Sequence, residues 1–148
     1  MKTRIILLAI IMISIMSCNS EKKTNSEVIS DTITEKYWKL KTLNGREVTM
    51  VENQTRETYF ILKSEDNRLK GFAGCNTFGG TFTLEKGNSI RFTNVLSTLM
   101  ACPDVVVNET EFLKVFNLAD HYTIKDDVLS LNIGKRAPLA VFEAVYMN

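Results

Sequence analysis

The chain has 148 residues, of which 24% are charged, with 18 Lys and Arg residues against 17 Asp and Glu residues. This length suits a single domain with a modest core. The near balance of charge supplies no positive field to attract nucleic acid, and the lysines lie between acidic residues instead of forming a stripe. The composition therefore argues against nucleic acid as a partner.

The first residues have the features of a secretion signal. Lys2 and Arg4 precede an apolar run that begins at Ile5 and ends before Cys18. A membrane-spanning helix needs about 20 apolar residues, so this run is too short to be a stable anchor by itself. We interpret residues 1–17 as a signal peptide that is removed after export.

The junction Ile15-Met16-Ser17-Cys18 resembles the bacterial lipobox, in which a diacylated cysteine becomes the first residue after cleavage. Each buried methylene contributes roughly 0.8 kcal/mol, so two or three acyl chains on Cys18 would hold the protein to a membrane almost permanently. The expected location is the bacterial cell envelope, at the outer membrane. The alternatives are an ordinary signal peptide with a chance cysteine and an uncleaved N-terminal anchor.

Residues 18–36 form a polar, charged segment with isolated apolar residues and no sustained periodicity. We predict a tether that holds the folded part away from the membrane. Residues 37–148 then form the folded domain. Cleavage before Cys18 leaves 131 of the 148 residues, with 16 basic against 17 acidic side chains because Lys2 and Arg4 are lost.

Most apolar residues of the domain alternate with polar ones or occur in short runs bounded by turn residues, which indicates strands. The segment YWKLKTL places Trp38 and Leu40 on one side, and it ends at Asn44-Gly45, a turn that favours positive φ. Further strand candidates are YFILK, RLKGF, TFTL, IRFTN, HYTI, VLSLNI and LAVFEAVY, with hairpin turns at Asp66-Asn67, Lys86-Gly87-Asn88 and Asp126-Asp127.

One segment has a helical pattern instead. In NETEFLKVFNLAD, the apolar residues Phe112, Val115, Phe116 and Ala119 recur at spacings of three and four, and Asn108 is suited to cap the helix start. One helix can bury the face and cover the edges of an antiparallel sheet only if the sheet curls around it or closes. We therefore predict a mainly β (α+β) fold, with a strongly curved or barrel-like antiparallel sheet and one packed helix.

The stretch GFAGCNTFGG, residues 71–80, surrounds Cys75 with four glycines. A strand pattern follows it, which favours bulges and tight bends over a phosphate-binding loop, since that loop would lead into a helix. Cys75 and Cys102 remain after lipidation of Cys18, and an even number in an exported chain favours one disulfide, worth about 3 to 4 kcal/mol. Two buried, unpaired thiols are the alternative.

No catalytic, cofactor-binding or metal site can be identified from the sequence. His121 is the single histidine, and it lies where the helix gives way to a strand, which favours a structural role over that of a base for a thiol nucleophile. A structural zinc ion needs four ligands, more than the three Cys and His side chains left after lipidation. Glu109 and Glu111 fit a helix N-terminus, which favours negative charge.

Two stretches together resemble the META/HslJ domain: GFAGCN at residues 71–76, followed by GGTF at 79–82, and STLMACP at 97–103. The order of the other features also resembles that of the family: a first strand with a tryptophan, the Glu111-Phe112-Leu113 helix start, the Tyr122 strand and a final Leu129-Ser130-Leu131 hairpin. The resemblance covers roughly Tyr37 to Val145. It implies an envelope domain, often carried by lipoproteins, in which the signature cysteines pair, here Cys75 with Cys102.

The same resemblance implies a curved antiparallel sheet with a helix, and an association with heat-shock induction and novobiocin resistance, but no catalytic residue. We therefore expect a noncatalytic envelope lipoprotein with a structural or binding role in envelope stress or antibiotic resistance. Its partners would be the membrane, through the lipid, and an unidentified envelope protein or small ligand. The alternatives are a carrier enclosing a small apolar ligand and, ranked third, a thiol oxidoreductase, which lacks the usual C-x-x-C spacing.

The lipobox interpretation predicts that Cys18 carries lipid and fixes the protein to a membrane. Cells that express the precursor should incorporate a fatty-acid analogue into it, and the protein should fractionate with membranes. The variant Cys18→Ser should lose the label and leave the membrane fraction. Equal labelling and equal membrane association of the variant would contradict the interpretation.

Overall fold

The computed structural model describes residues 32–50, 54, 56–102 and 107–146. The predicted signal peptide, Cys18 and most of the predicted tether lie outside these residues. The described residues form nine strands and one helix, α1, which spans Glu109–Leu118. The strands are β1 Tyr37–Leu43, β2 Arg46–Glu47, β3 Tyr59–Lys63, β4 Arg68–Phe72, β5 Thr77–Glu85, β6 Ser89–Ser97, β7 His121–Lys125, β8 Val128–Asn132 and β9 Ala140–Val145.

Eight of these strands close into an antiparallel barrel in the order β1-β3-β4-β5-β6-β7-β8-β9. Closure occurs because β9 returns to pair with β1, from Tyr37 opposite Val145 to Leu43 opposite Ala140. The short strand β2 is only a hairpin arm on the end of β1. The predicted fold class, a barrel-like antiparallel sheet with one helix, is confirmed.

The strands follow from the alternation of their residues. In β1, Trp38 and Leu40 are buried while Lys41 faces solvent, and the same period of two recurs in β3. The predicted turn after β1 adopts the left-handed conformation that two-residue turns require, with φ of 50° at Asn44 and 76° at Gly45. Because the apolar residues alternate, one face of the sheet lines the barrel interior.

The barrel closes weakly at one seam, between β6 and β7. Strands β5 and β6 pair along almost their whole length, whereas β6 and β7 share a single pair, Ser89 opposite His121. Helix α1 lies against β6, and its apolar side is buried. The apolar side of the helix therefore covers the barrel interior beside the seam, where β6 and β7 are not paired.

The helix contributes aromatic side chains to the centre of the core. The Phe116 ring lies 5.4 Å from that of Phe60, 5.0 Å from that of Phe78 and 5.1 Å from that of Phe92, measured between ring centroids. The predicted apolar helical face is buried: Phe112, Val115, Phe116 and Ala119 are each at most 6% exposed. No helix in the described part of the chain is long and apolar enough to cross a membrane.

Residues just before β1, assigned to the tether from the sequence, pack against the barrel. Ile33 is 1% exposed, and its carbonyl accepts a 2.7 Å hydrogen bond from Trp38 Nε1. The Glu35 carboxylate accepts hydrogen bonds from Lys63 and from the backbone and side chain of Ser64, which lowers the pKa of Glu35 to about 2. The folded unit therefore includes residues 33–36.

A second set of contacts joins residues 33–36 to the β7–β8 turn and to the residue that follows β9. The Lys36 ammonium is 3.0 Å from the Asp127 carboxylate and lies over the ring of Tyr146, whose hydroxyl also donates to Asp127. The hydrogen bonds from Tyr146 and Lys36 hold the pKa of Asp127 below its usual range. The start and the end of the domain thus meet at the turn between β7 and β8.

The packing of α1 predicts that alanine substitutions at a buried and at an exposed position of this helix differ greatly in their effect on stability. Phe116→Ala should lower the free energy of unfolding by about 3 to 5 kcal/mol, because it removes a buried ring that packs against four other phenylalanine rings. Lys114→Ala should change it by less than about 0.5 kcal/mol, since Lys114 is exposed and forms only a surface ion pair with Glu111. Urea denaturation of the mature protein measures both. Similar, small losses would show that the helical face is wrongly assigned.

Candidate functional site

A disulfide joins the two signature cysteines. Cys75 lies in the loop between β4 and β5, Cys102 follows β6, and their Cα atoms are 5.9 Å apart, within the normal range for a disulfide. The pairing implied by the family resemblance is therefore present. The bond connects the end of the β4–β5 loop to the chain that crosses from β6 to α1.

Glycines around this disulfide allow close approach of neighbouring strands. A Cβ atom on Gly71 would lie 2.4 Å from the Phe78 ring, and one on Gly80 would lie 2.8 Å from the Thr93 carbonyl oxygen. Gly80 lies at a β-bulge in the β5–β6 pairing, where Asn94 has a φ of 53°. The prediction that these glycines permit bulges and close packing agrees with this geometry.

Asn76, the residue after Cys75, is buried and fully hydrogen-bonded. Its Oδ1 accepts hydrogen bonds from the Thr98 hydroxyl at 2.8 Å and the Met100 N–H at 2.7 Å. Its Nδ2 donates to the Met100 carbonyl at 3.1 Å and to Glu109 Oε2 at 2.7 Å. An amide side chain has two donors and two acceptor lone pairs, so Asn76 uses its whole capacity to hold the chain after β6.

Glu109, the first residue of α1, completes the network from the helix side. Its Oε1 accepts the backbone N–H groups of Cys75 at 2.8 Å and Asn76 at 2.6 Å. The sequence placed Glu109 at a helix N-terminus but did not reveal its partners, which lie 33 and 34 residues earlier. One carboxylate thus fixes the start of the helix to the loop that carries the disulfide.

The chain held by this network displays apolar side chains to solvent. Residues 96–100, which are the last two residues of β6 and the three that follow, we call the apolar loop; Leu96 is 76% exposed, Leu99 97% and Met100 65%. Their backbone is supported by Asn76 at Met100 and by a 3.0 Å hydrogen bond from the Thr98 N–H to the Thr77 carbonyl. Single exposed apolar residues are ordinary, whereas three within five residues are not, so the apolar loop is a candidate interaction surface.

The single histidine, His121, lies at the β6–β7 seam between Ser89 and Asp120. Ser89 Oγ is 3.4 Å from His121 Nε2, and His121 Nδ1 is 3.0 Å from Asp120 Oδ1. Asp120 also accepts the Gly134 N–H, and this bond, with that from His121, lowers the pKa of Asp120. The sequence did not reveal this set, because Ser89 lies 32 residues before His121. Because both His121 and Asp120 are solvent-exposed and each bridges separate strands and loops, we assign the cluster to closing the seam.

The described residues were also searched for metal-binding groups and for clefts on the surface. There, no three side chains among His, Cys, Asp and Glu are grouped so that they could hold a metal ion. A surface cleft of about 490 Å³ lies between the β1–β2 hairpin and the helix start. It is lined by Leu43, Asn44, Arg46, Glu47, Val48, Val107, Asn108 and Glu111.

The family model described as META domain matches residues 31–146, which includes the barrel, the helix, both cysteines and the Asn76–Glu109 network. The chain belongs to the META domain family. The family predicted from the two signature stretches is thus confirmed. The match begins at residue 31, which agrees with the packing of Ile33 and Lys36 onto the META domain.

Two solved structures share the fold of this META domain. One, described as the NMR structure of the protein from Burkholderia xenovorans, is 18% identical, covers 78% of this chain and 85% of its own, and has a TM-score of 0.60. Another NMR structure is 17% identical, covers 75% of this chain and 90% of its own, and has a TM-score of 0.58. No curated protein matches the chain significantly. At these identities the solved structures support the fold alone.

The disulfide predicts two blocked thiols and a measurable contribution to stability. Mass spectrometry after alkylation of the denatured mature protein should show Cys75 and Cys102 modified only after reduction. The double variant Cys75→Ser/Cys102→Ser should lose about 3 to 4 kcal/mol of unfolding free energy, because the closed loop no longer restricts the unfolded chain. Free alkylation without reductant would contradict the pairing.

The hydrogen bonds of Asn76 predict that replacing this residue lowers the stability of the protein more than replacing an exposed asparagine does. Asn76→Ala should lower the free energy of unfolding by about 3 kcal/mol, because it removes all four hydrogen bonds that this buried amide side chain makes. Asn117→Ala, on the exposed side of α1, is the matched control and should change stability by less than about 0.5 kcal/mol. Thermal or urea unfolding measures the stability of both variants. Equal losses of stability would show that the Asn76 hydrogen bonds do not stabilise the fold.

Proposed function

We propose that this protein is a noncatalytic, lipid-anchored protein of the bacterial cell envelope whose META domain binds another envelope component through the apolar loop. The observation that carries the proposal is the exposure of Leu96, Leu99 and Met100 on a backbone fixed by Asn76 and the disulfide. Covering a leucine or methionine side chain contributes about 1.5 to 3 kcal/mol. Three such residues in one loop can therefore supply a useful part of a binding energy.

The packing of the barrel supports binding at the outer surface. Side chains such as Phe60, Phe116 and Phe142 occupy the interior, each at most 1% exposed. A small apolar ligand enclosed by the barrel would have to displace this aromatic cluster, and carrier sites are typically about 300 Å³ or more. We therefore favour a protein-binding role over the carrier alternative.

The position of the apolar loop supports a partner other than the membrane that holds the tether. The chain enters the domain beside Glu35, which contacts Ser64 in the β3–β4 turn. Cys75 follows the opposite end of the β4 strand, one five-residue strand away, or roughly 16 Å. A protein anchored through Cys18 would thus present the apolar loop at the end of the barrel away from the entry of the tether.

A noncatalytic role fits the way the polar side chains at this site are used. Cys75 and Cys102 are bonded to each other, and Asn76 uses all its donors and acceptors within the fold. Such groups serve to position the apolar loop instead of reacting with a substrate. We expect this binding to act in envelope stress or antibiotic resistance, the setting that the family resemblance implies, and at the outer membrane.

Site-specific photocrosslinking in the bacterium that encodes the protein tests this proposal. A photoreactive residue at position 99 of the full-length lipoprotein should give a discrete crosslink to an envelope protein. The same residue in place of the exposed Glu65, in the β3–β4 turn at the other end of the barrel, should not. Absence of a crosslink at 99, or the same product from both positions, would refute binding through the apolar loop.

A further inference from the structure

The described residues include four side chains that contain sulfur, and two of these are thioethers in contact with solvent. Cys75 and Cys102 are joined in the disulfide, so the described part of the chain holds no free thiol that would react first with a peroxide. Met50 and Met100 are 52% and 65% exposed. A peroxide that reaches this domain can therefore oxidise these two sulfur atoms.

The hydrogen bonds of its backbone keep the Met100 side chain at the surface. The Met100 N–H donates to Asn76 Oδ1 at 2.7 Å, and the Met100 carbonyl accepts a hydrogen bond from Asn76 Nδ2 at 3.1 Å. Both backbone groups are thus bonded to a buried side chain, while the thioether lies in solvent and outside the hydrophobic core. A chemical change at this sulfur atom should therefore leave the fold intact.

Oxidation of Met100 would change the polarity of the apolar loop. Hydrogen peroxide transfers one oxygen atom to a thioether: the sulfur lone pair forms the S=O bond, the O–O bond breaks, and the reduced oxygen leaves as water. The sulfoxide is polar, whereas Leu96 and Leu99 remain apolar. Because burial of a polar group without a hydrogen-bond partner is unfavourable, a partner surface that fits the apolar loop would bind the oxidised form poorly.

We propose that Met100 is an oxidation site that regulates binding through the apolar loop, and that its conversion to the sulfoxide in the unbound protein prevents the partner from binding. This inference rests on the proposed function and adds its regulation. Met50 lies outside the apolar loop, where it lines a separate cleft with Lys39 and Glu143. Oxidation of Met50 therefore leaves the binding surface unchanged, so the two methionines can be compared within one protein.

Photocrosslinking from position 99 of the full-length lipoprotein, in cells with and without hydrogen peroxide, tests the regulation. Peroxide should lower the crosslink yield about tenfold, in step with the sulfoxide at Met100 measured by mass spectrometry. In Met100→Leu, which has no sulfur atom at this position, the yield should be the same before and after treatment. Met50→Leu is the matched control and should still lose the crosslink on treatment. Met100→Gln, which is polar like the sulfoxide, should lower the yield without peroxide.

Several results would overturn the regulation but retain the proposed function. These are a crosslink that persists when Met100 is oxidised, an equal fall of the yield in Met100→Leu, and a Met100 that stays reduced while Met50 is oxidised. Urea denaturation of the oxidised mature protein should give an unchanged free energy of unfolding, and a loss of stability would assign the effect to the fold instead of the binding surface. Absence of the crosslink in untreated cells would refute the proposed function, and the regulation with it.

Discussion

The single residue pair between β6 and β7 is the constraint on which the rest of the structure depends. A barrel with so short a ladder must bury its interior by other means, and the phenylalanines of α1 do so beside the seam. The helix can act in this way only if its start is fixed at the end of the barrel. The bonds of Glu109 to the Cys75–Asn76 backbone provide that fixation.

The same requirement explains why apolar side chains remain in solvent. The chain between β6 and α1 has to cross the barrel end, and its polar groups at Met100 are satisfied by the Asn76 side chain. The disulfide from the neighbouring Cys75 holds the crossing again two residues later, at Cys102. With its backbone bonded inwards, the apolar loop directs Leu99 outwards, so that one set of contacts both stabilises the fold and leaves apolar side chains exposed.

Features that depend on local pattern were predictable from the sequence, and those that depend on distant partners were not. The alternation in β1, the positive φ at Asn44-Gly45 and the helical face around Phe116 are all encoded within a few residues. The bond between Asn76 and Glu109 joins positions 33 residues apart, and no periodicity reports it. Ile33 was placed in the tether because its neighbours are polar, although its packing partner Trp38 lies only five residues later.

We expect the backbone of the apolar loop to be rigid although its side chains are exposed, and ¹⁵N relaxation at the Met100 amide measures this rigidity directly. The hydrogen bonds from Asn76 predict a backbone order parameter of about 0.85 for Met100, equal to that of rigid sheet residues. In Asn76→Ala the value should fall while the amides of β3 and β4 keep theirs. An order parameter below about 0.6 for Met100 in the unmodified, oxidised protein would show that Asn76 and the disulfide do not fix this backbone.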